Sequence, residues 1–205
     1  TNFGDNLTKF ILSKYGIDAF WVEPQEAELF GVGSIMEVIP EDFNGHILGT
    51  GFMYKDSKKK FLKAKILGVR GPLTAERCSM ITTNYFDLGI IASDFKKYKR
   101  GKDIGVMPHY TDPSLLKKVK FDRVINVSDK PEIVIRDASK CSYIYTSSLH
   151  GLILADSLGI KREFIPSANP VGNGFKFMDY GVAKRLIGID KMKKNAREAI
   201  EKLRG

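Results

Sequence analysis

The chain has 205 residues, 43% hydrophobic and 28% charged, with 33 basic against 24 acidic side chains and a net charge of +9. This composition excludes a disordered tail or a low-complexity segment, and no apolar run approaches the ~18–20 residues of a membrane-spanning helix. Cys78 and Cys141 are too few for a disulfide framework or a metal cluster and suit a reducing cytoplasm; the opening Thr1–Asp5 has no signal-peptide character.

Read along the chain, short apolar bursts alternate with helical patterns, which predicts an α/β fold. Asp5 or Asn6 caps a first helix whose Leu7, Phe10, Ile11 and Tyr15 recur at helical spacing, and Gly16 stops it. No strand precedes that helix, so the first sheet is expected to lack an element or the N-terminus to be trimmed. Apolar bursts follow at Ala19–Val22, Ala27–Ile35, His46–Phe52 and Ile66–Val69, and Pro72 opens a helix after Arg70-Gly71. Lys96–Lys102, with five basic residues in seven and no apolar pattern, reads as a linker. Beyond it come strands at Ile104–Val106 and Arg123–Val127, a helix from Glu132 to Ser139 and a strand at Ser142–Tyr145. A helix at Leu152–Leu158 ends at Gly159, and the last helix runs from Lys191 to Leu203 with Asp190 as its cap. Two small Rossmann-like lobes, 1–95 and 103–205, joined by the linker at 96–102, are the expected architecture, with ligands in a cleft at the C-terminal ends of strands.

The positive charge points to an anionic partner. Basic residues cluster at 55–65, 96–102, 117–120 and 191–197, none with the aromatic interleaving of an RNA-binding sheet, so nucleic acid is not expected. Turns rich in glycine and small polar residues recur at Asn2–Asn6, Gly31–Ser34, Gly49–Gly51, Arg70-Gly71 and Ser147–Gly151. Such turns let backbone N–H groups approach a phosphate or carboxylate, although turns require glycine for their own sake as well. There is neither a GxGxxG nor a GxxxxGK[ST] sequence. His46, His109 and His150 show no metal-ligand spacing, so no metal is expected. His109 and His150 each follow a predicted strand. Ser147 or Ser148 beside His150 lacks the nucleophile-elbow context of a hydrolase.

Taken in order, several segments resemble those of the polysaccharide pyruvyl transferases. They are Asn2-Phe3-Gly4-Asp5, Leu29–Ile35, Leu48–Gly51, Gly68–Thr74, Gly105–Tyr110, Ser148–Asp156 and Phe175–Tyr180, nearest to the exopolysaccharide ketalase branch. The resemblance implies a two-lobed fold similar to the GT-B glycosyltransferases. It also implies transfer of pyruvate from phosphoenolpyruvate onto a sugar as a ketal, with no further cofactor. A histidine, which ordinarily titrates near neutrality, suits proton delivery to the methylene carbon, and the resemblance assigns that role to His150. It assigns anion binding to Arg70 and Lys176, and substrate contacts to Ser148, Leu149, Gly33, Ser34, Gly51, His109 and Asp5. The acceptor in such pathways is often lipid-linked, which would set the protein against the anionic inner face of the cytoplasmic membrane. Two other readings stay open at this stage: a nucleotide-sugar glycosyltransferase, and a non-catalytic module that binds an anionic glycan.

Overall fold

The computed structural model describes residues 2–95, 97–167 and 172–204; Lys96, the first residue of the expected linker, lies outside them. The described chain is a mixed α/β protein built on two parallel sheets. It divides into two compact units, each made of two segments: Thr1–Ile11 with Gly89–Pro170, and Leu12–Leu88 with Val171–Gly205. This differs from the expected single boundary at 96–102. The C-terminal helix packs on the sheet of the first half of the chain, while the first residues of the chain join the second half. Composition marks polar stretches but carries no record of such returns.

In the second of these units the sheet has the order β1 (Leu29–Phe30), β2 (His46–Leu48) and β3 (Lys65–Gly68), all parallel. Its core joins Phe30, Ile47 and Val69 from the strand region to Met36, Phe52, Ala75 and Phe175. Helix α2 (Pro72–Arg77) starts on Pro72, as predicted. The burst at Ala19–Val22 forms no strand, and Phe20 and Trp21 are 77% and 80% exposed. The final helix is longer than its apolar pattern suggests: α5 spans Phe175–Arg204 and is interrupted at Gly188, whose φ of 73° no helix accommodates. The break is therefore at Gly188, ahead of the expected cap Asp190.

The other unit is a four-stranded parallel sheet of order β5-β4-β6-β7, with β4 at Asp103–Met107, β5 at Arg123–Val124, β6 at Cys141–Thr146 and β7 at Lys161–Phe164. Helices α3 (Pro131–Ser139) and α4 (Leu149–Leu158) make the crossovers, and Gly159 closes α4 in the left-handed region at φ 64°. Strand β7 has no counterpart among the predicted strands. It is one edge of the sheet, with Lys161 and Glu163 exposed, and Arg162 pairs with Asp156 at 2.7 Å. The order of strands reverses direction at β4: the chain adds β5 on one side, then β6 on the other. Ligand crevices of open parallel sheets form outside the carboxyl ends of the strands at such a point. Helix α1 (Phe3–Lys14) begins at this same end, because the Phe3 N–H donates to the Val127 carbonyl at 2.6 Å just past β5. Its cap is Asn2 rather than Asp5 or Asn6. Asn2 Oδ1 accepts from Gly4 N–H at 2.9 Å, while Asp5 Oδ2 accepts from Asn2 N–H at 3.1 Å, a reciprocal capping box.

Candidate functional site

The residues singled out from sequence fall into two groups, one in each unit. In the unit containing β1–β3, three turns at the carboxyl ends of the strands are stitched together. Thr50 Oγ1 donates to the Gly33 carbonyl at 2.8 Å, Gly51 N–H donates to the same carbonyl at 3.2 Å, and Arg70 N–H donates to the Thr50 carbonyl at 2.9 Å. Gly33, Ser34, Gly51 and Arg70 thus come together. The Arg70 side chain is wholly buried, and its nitrogens are committed internally. Nε donates to Asp179 Oδ2 at 3.1 Å, Nη1 to Ser34 Oγ at 2.7 Å and Nη2 to the Phe52 carbonyl at 2.5 Å. Gly51 is required here, since a side-chain carbon at that position would overlap the guanidinium.

Asp179 completes the network from α5. Its Oδ1 accepts from Thr74 N–H at 3.0 Å and its Oδ2 from Thr74 Oγ1 at 2.6 Å. Helix α2 has Gly71 at its N-cap with no capping side chain of its own, so Asp179 caps it from 105 residues further along the chain. Lys176 and Asp179, three residues apart on α5, are both buried, and Asp179 pairs with Arg70. Arg70, expected as a clamp on a ligand, is held in the geometry of a residue that positions its neighbours. The guanidinium fixes Ser34, the Phe52 carbonyl and the start of α5 relative to one another.

Lys176 is the contrasting cation. It lies in the first turn of α5, only 8% exposed, with its Nζ 5.4 Å from the centre of the Phe177 ring. Among the described residues no carboxylate pairs with it. Burial pulls its pKa below the ordinary lysine value, and the nearby Arg70 charge adds to that. A lysine so placed gains from any anion that reaches it. Cys78, packed in the same core, is no nucleophile: burial, with a contribution from Asp179, pushes its thiol up to about 12.

In the unit containing β4–β7, the site is the pair of strand ends that flank the reversal in strand order. Thr146, the last residue of β6, braces them: its Oγ1 donates to the Met107 carbonyl at the end of β4 at 2.7 Å and accepts from Ser148 N–H at 3.0 Å. One residue on, Ser147 Oγ accepts from His109 N–H at 2.9 Å. His109, Ser148, Leu149 and His150 are thereby gathered at one end of the sheet. His109 itself turns to Thr111, with Nδ1 2.8 Å from its Oγ1. Ser148 occupies the N-cap of α4 without a side-chain capping bond, and α4 carries no acidic residue in its first turn. The N-terminal N–H groups of α4 accordingly present a partial positive charge suited to an anion.

His150 stands in that first turn, partly exposed, with its imidazole directly against Gly4 of α1; any side-chain carbon at Gly4 would overlap the ring. The shared end of the sheet thus explains two motifs distant in sequence. Asp5 is exposed and serves the capping box through Asn2, so its carboxylate shapes the α1 turn. Thr74, Asp179, Thr146 and Gly4 were not among the residues assigned a substrate role from sequence. Gly4, Thr74 and Asp179 lie inside segments that carry the family resemblance, whereas Thr146 lies just ahead of one. Among the described residues no three His, Cys, Asp or Glu side chains converge as metal ligands.

A family model for polysaccharide pyruvyl transferase matches residues 2–162, which takes in both strand-end groups except the start of α5. The chain belongs to that family. It is similar to the succinoglycan biosynthesis protein ExoV of Rhizobium meliloti, 24% identical over 197 residues covering 87% of this chain and 60% of that protein. It is also similar to the uncharacterized protein L143 of Acanthamoeba polyphaga mimivirus, 30% identical over 169 residues, 73% of this chain and 57% of that protein. This pyruvyl transferase family chain therefore spans about 60% of the length of the curated relatives it matches. No solved structure matches it.

Proposed function

We propose that this chain transfers a pyruvyl group from phosphoenolpyruvate to a saccharide in exopolysaccharide synthesis, with its two units as the lobes of a fold similar to the GT-B glycosyltransferases. The observation that carries the reading is His150, set at the open end of α4 where the strand order reverses and seated on Gly4. His150 is the general acid that delivers a proton to the methylene carbon of the enol, leaving an oxocarbenium-like centre at C2. A sugar hydroxyl adds there and loses its proton. The C2–O bond to phosphate breaks, and a second hydroxyl closes the ketal. One phosphoenolpyruvate and two hydroxyls thus give one ketal and inorganic phosphate. The α4 N–H groups of Leu149 and His150 are one anchor for the donor's negative charge, and Lys176 is an anion-binding cation of the other unit. Arg70 keeps Ser34 and Gly51 in place. The chemistry needs no further cofactor, and a lipid-linked saccharide in the cytoplasm is the acceptor class.

Thermal melting tests the donor. A ligand that binds the folded state alone, at ~100 times its Kd, adds about 2.7 kcal/mol, roughly 5–10 °C for a chain of this size. Phosphoenolpyruvate is expected to give such a shift, inorganic phosphate a smaller one, and uridine or guanosine diphosphate sugars little. A large shift with a nucleotide sugar and none with phosphoenolpyruvate would replace this reading by a glycosyltransferase.

A further inference from the structure

Nearly half of the net charge of the chain sits in one loop. Residues 54–64 hold five lysines against Asp56, a balance of +4 out of +9, and no arginine. The loop has no regular secondary structure before β3 begins at Lys65, yet it is firmly anchored. Glu37 Oε1 accepts from Met53 N–H at 2.8 Å, Tyr54 N–H at 3.1 Å and Ser57 Oγ at 2.9 Å. Lys59 Nζ donates to the Ile39 carbonyl at 2.5 Å and the Glu37 carbonyl at 2.8 Å, and its N–H donates to the Arg77 carbonyl at 3.3 Å. Phe61 and Ala64 pack inward on the core. With these fixed, the intervening Leu62 is driven outward and is 90% exposed, while Lys58, Lys60 and Lys63 around it are exposed as well, and Tyr54 is half exposed.

We infer that this loop docks the protein on an anionic lipid bilayer, with Leu62 entering the interface and the lysines meeting the headgroups. The inference goes beyond the proposed reaction and rests on that reading only for its purpose, which is to bring the protein to a lipid-linked acceptor. Charge and shape together select the partner. Lysines near an anionic leaflet each contribute about fivefold in binding, and an aliphatic tip adds the burial of its side chain. A nucleic acid or an acidic glycan offers Leu62 nothing to bury against, and the loop has no arginine fork for bidentate phosphate recognition.

The test is co-sedimentation of the intact chain with vesicles of phosphatidylcholine containing 30% phosphatidylglycerol, at 100 and 500 mM NaCl. Binding is expected at low salt, weak at high salt and weak to phosphatidylcholine alone. The triple variant K58Q/K60Q/K63Q should bind about 10²-fold more weakly, from three lysines at about fivefold each, and Leu62→Ser about tenfold more weakly. These side chains are exposed, and melting curves matching the parent show that the fold is kept. Absence of binding at 100 mM NaCl, or binding unchanged in the triple variant, overturns the inference. So does binding that Leu62→Ser leaves intact and a soluble polyanion abolishes, which would mark a general polyanion surface. The readout is membrane binding alone, so failure of the pyruvyl transfer reading would show in the donor assay and leave this result unaffected.

Discussion

The two strand-end groups are built on opposite plans. Around Arg70 every nitrogen of the guanidinium is matched by an acceptor, water is excluded, and Asp179 serves at once as counter-ion and helix cap. Around His150 the backbone is braced by Thr146, and the residue is partly exposed at the helix start while its imidazole lies directly against Gly4 with Nε2 buried. A fully satisfied buried network fixes geometry and resists change. A helix start without a capping side chain leaves its N–H groups available to an anion. The difference teaches that two motifs of one family, equally prominent in sequence, divide into one whose side chain is committed internally and one that stands at an open helix start, where the proposed chemistry is set.

The sharpest way to break this contrast is His150→Gln. It keeps hydrogen bonding and approximate size and removes the titratable group, so turnover should fall roughly 10²–10⁴-fold with unchanged melting. Turnover within a few-fold of the parent would take His150 out of the chemistry. Asp179→Ala should do the reverse, acting on stability first. It strands a buried guanidinium and uncaps α2, for a loss of about 3–5 kcal/mol, on the order of 10 °C in Tm. Asp179→Asn, which can still accept from Thr74 N–H, should lose less. Equal melting of all three proteins would mean that Arg70 finds other partners.

Gly4→Ala sharpens the comparison from the other side. The new methyl pushes the His150 ring from its seat, and a displacement of about 1 Å is expected to cost up to ~10²-fold in turnover. A crystal structure or donor-shift assay would show whether the ring alone has moved. The smallest effect is that of Lys176→Met. Because the folded pKa of Lys176 lies below its unfolded value, the unfolded chain holds more protons just under the ordinary lysine pKa. Native stability therefore rises with pH through that window. The variant should lose this rise and melt slightly higher near neutrality, by about 2–4 °C for each ~1 kcal/mol of burial cost relieved. It should also lose much of the shift given by phosphoenolpyruvate. A lower Tm with the ligand shift retained would make Lys176 a structural residue.

How much of this was legible depends on the range of the interaction. Pro72 opening α2, Gly159 closing α4 and the βα alternation of 103–158 rest on local backbone preferences, and the structure follows them. Ala19–Val22 misled, because an apolar burst becomes a strand only where a partner edge awaits it; Phe20 and Trp21 face solvent instead. The first arm of α5 was hidden because Lys176 and Asp179 occupy buried positions that a periodicity reading reserves for apolar side chains. The pairing of Asp179 with Arg70 had no local signal at all.

By itself the sequence determined the α/β class, the glycine-rich strand ends and the ordered motifs that place the chain in its family, because each of these depends on residues close together along the chain. Only the tertiary structure decided that each unit is assembled from two separate stretches of chain, that a carboxylate from α5 caps α2, and that the His150 ring sits where a side chain at Gly4 would be. Those are contacts across roughly 100 residues or more, chosen by what must be buried and paired, and no short stretch of chain encodes them alone.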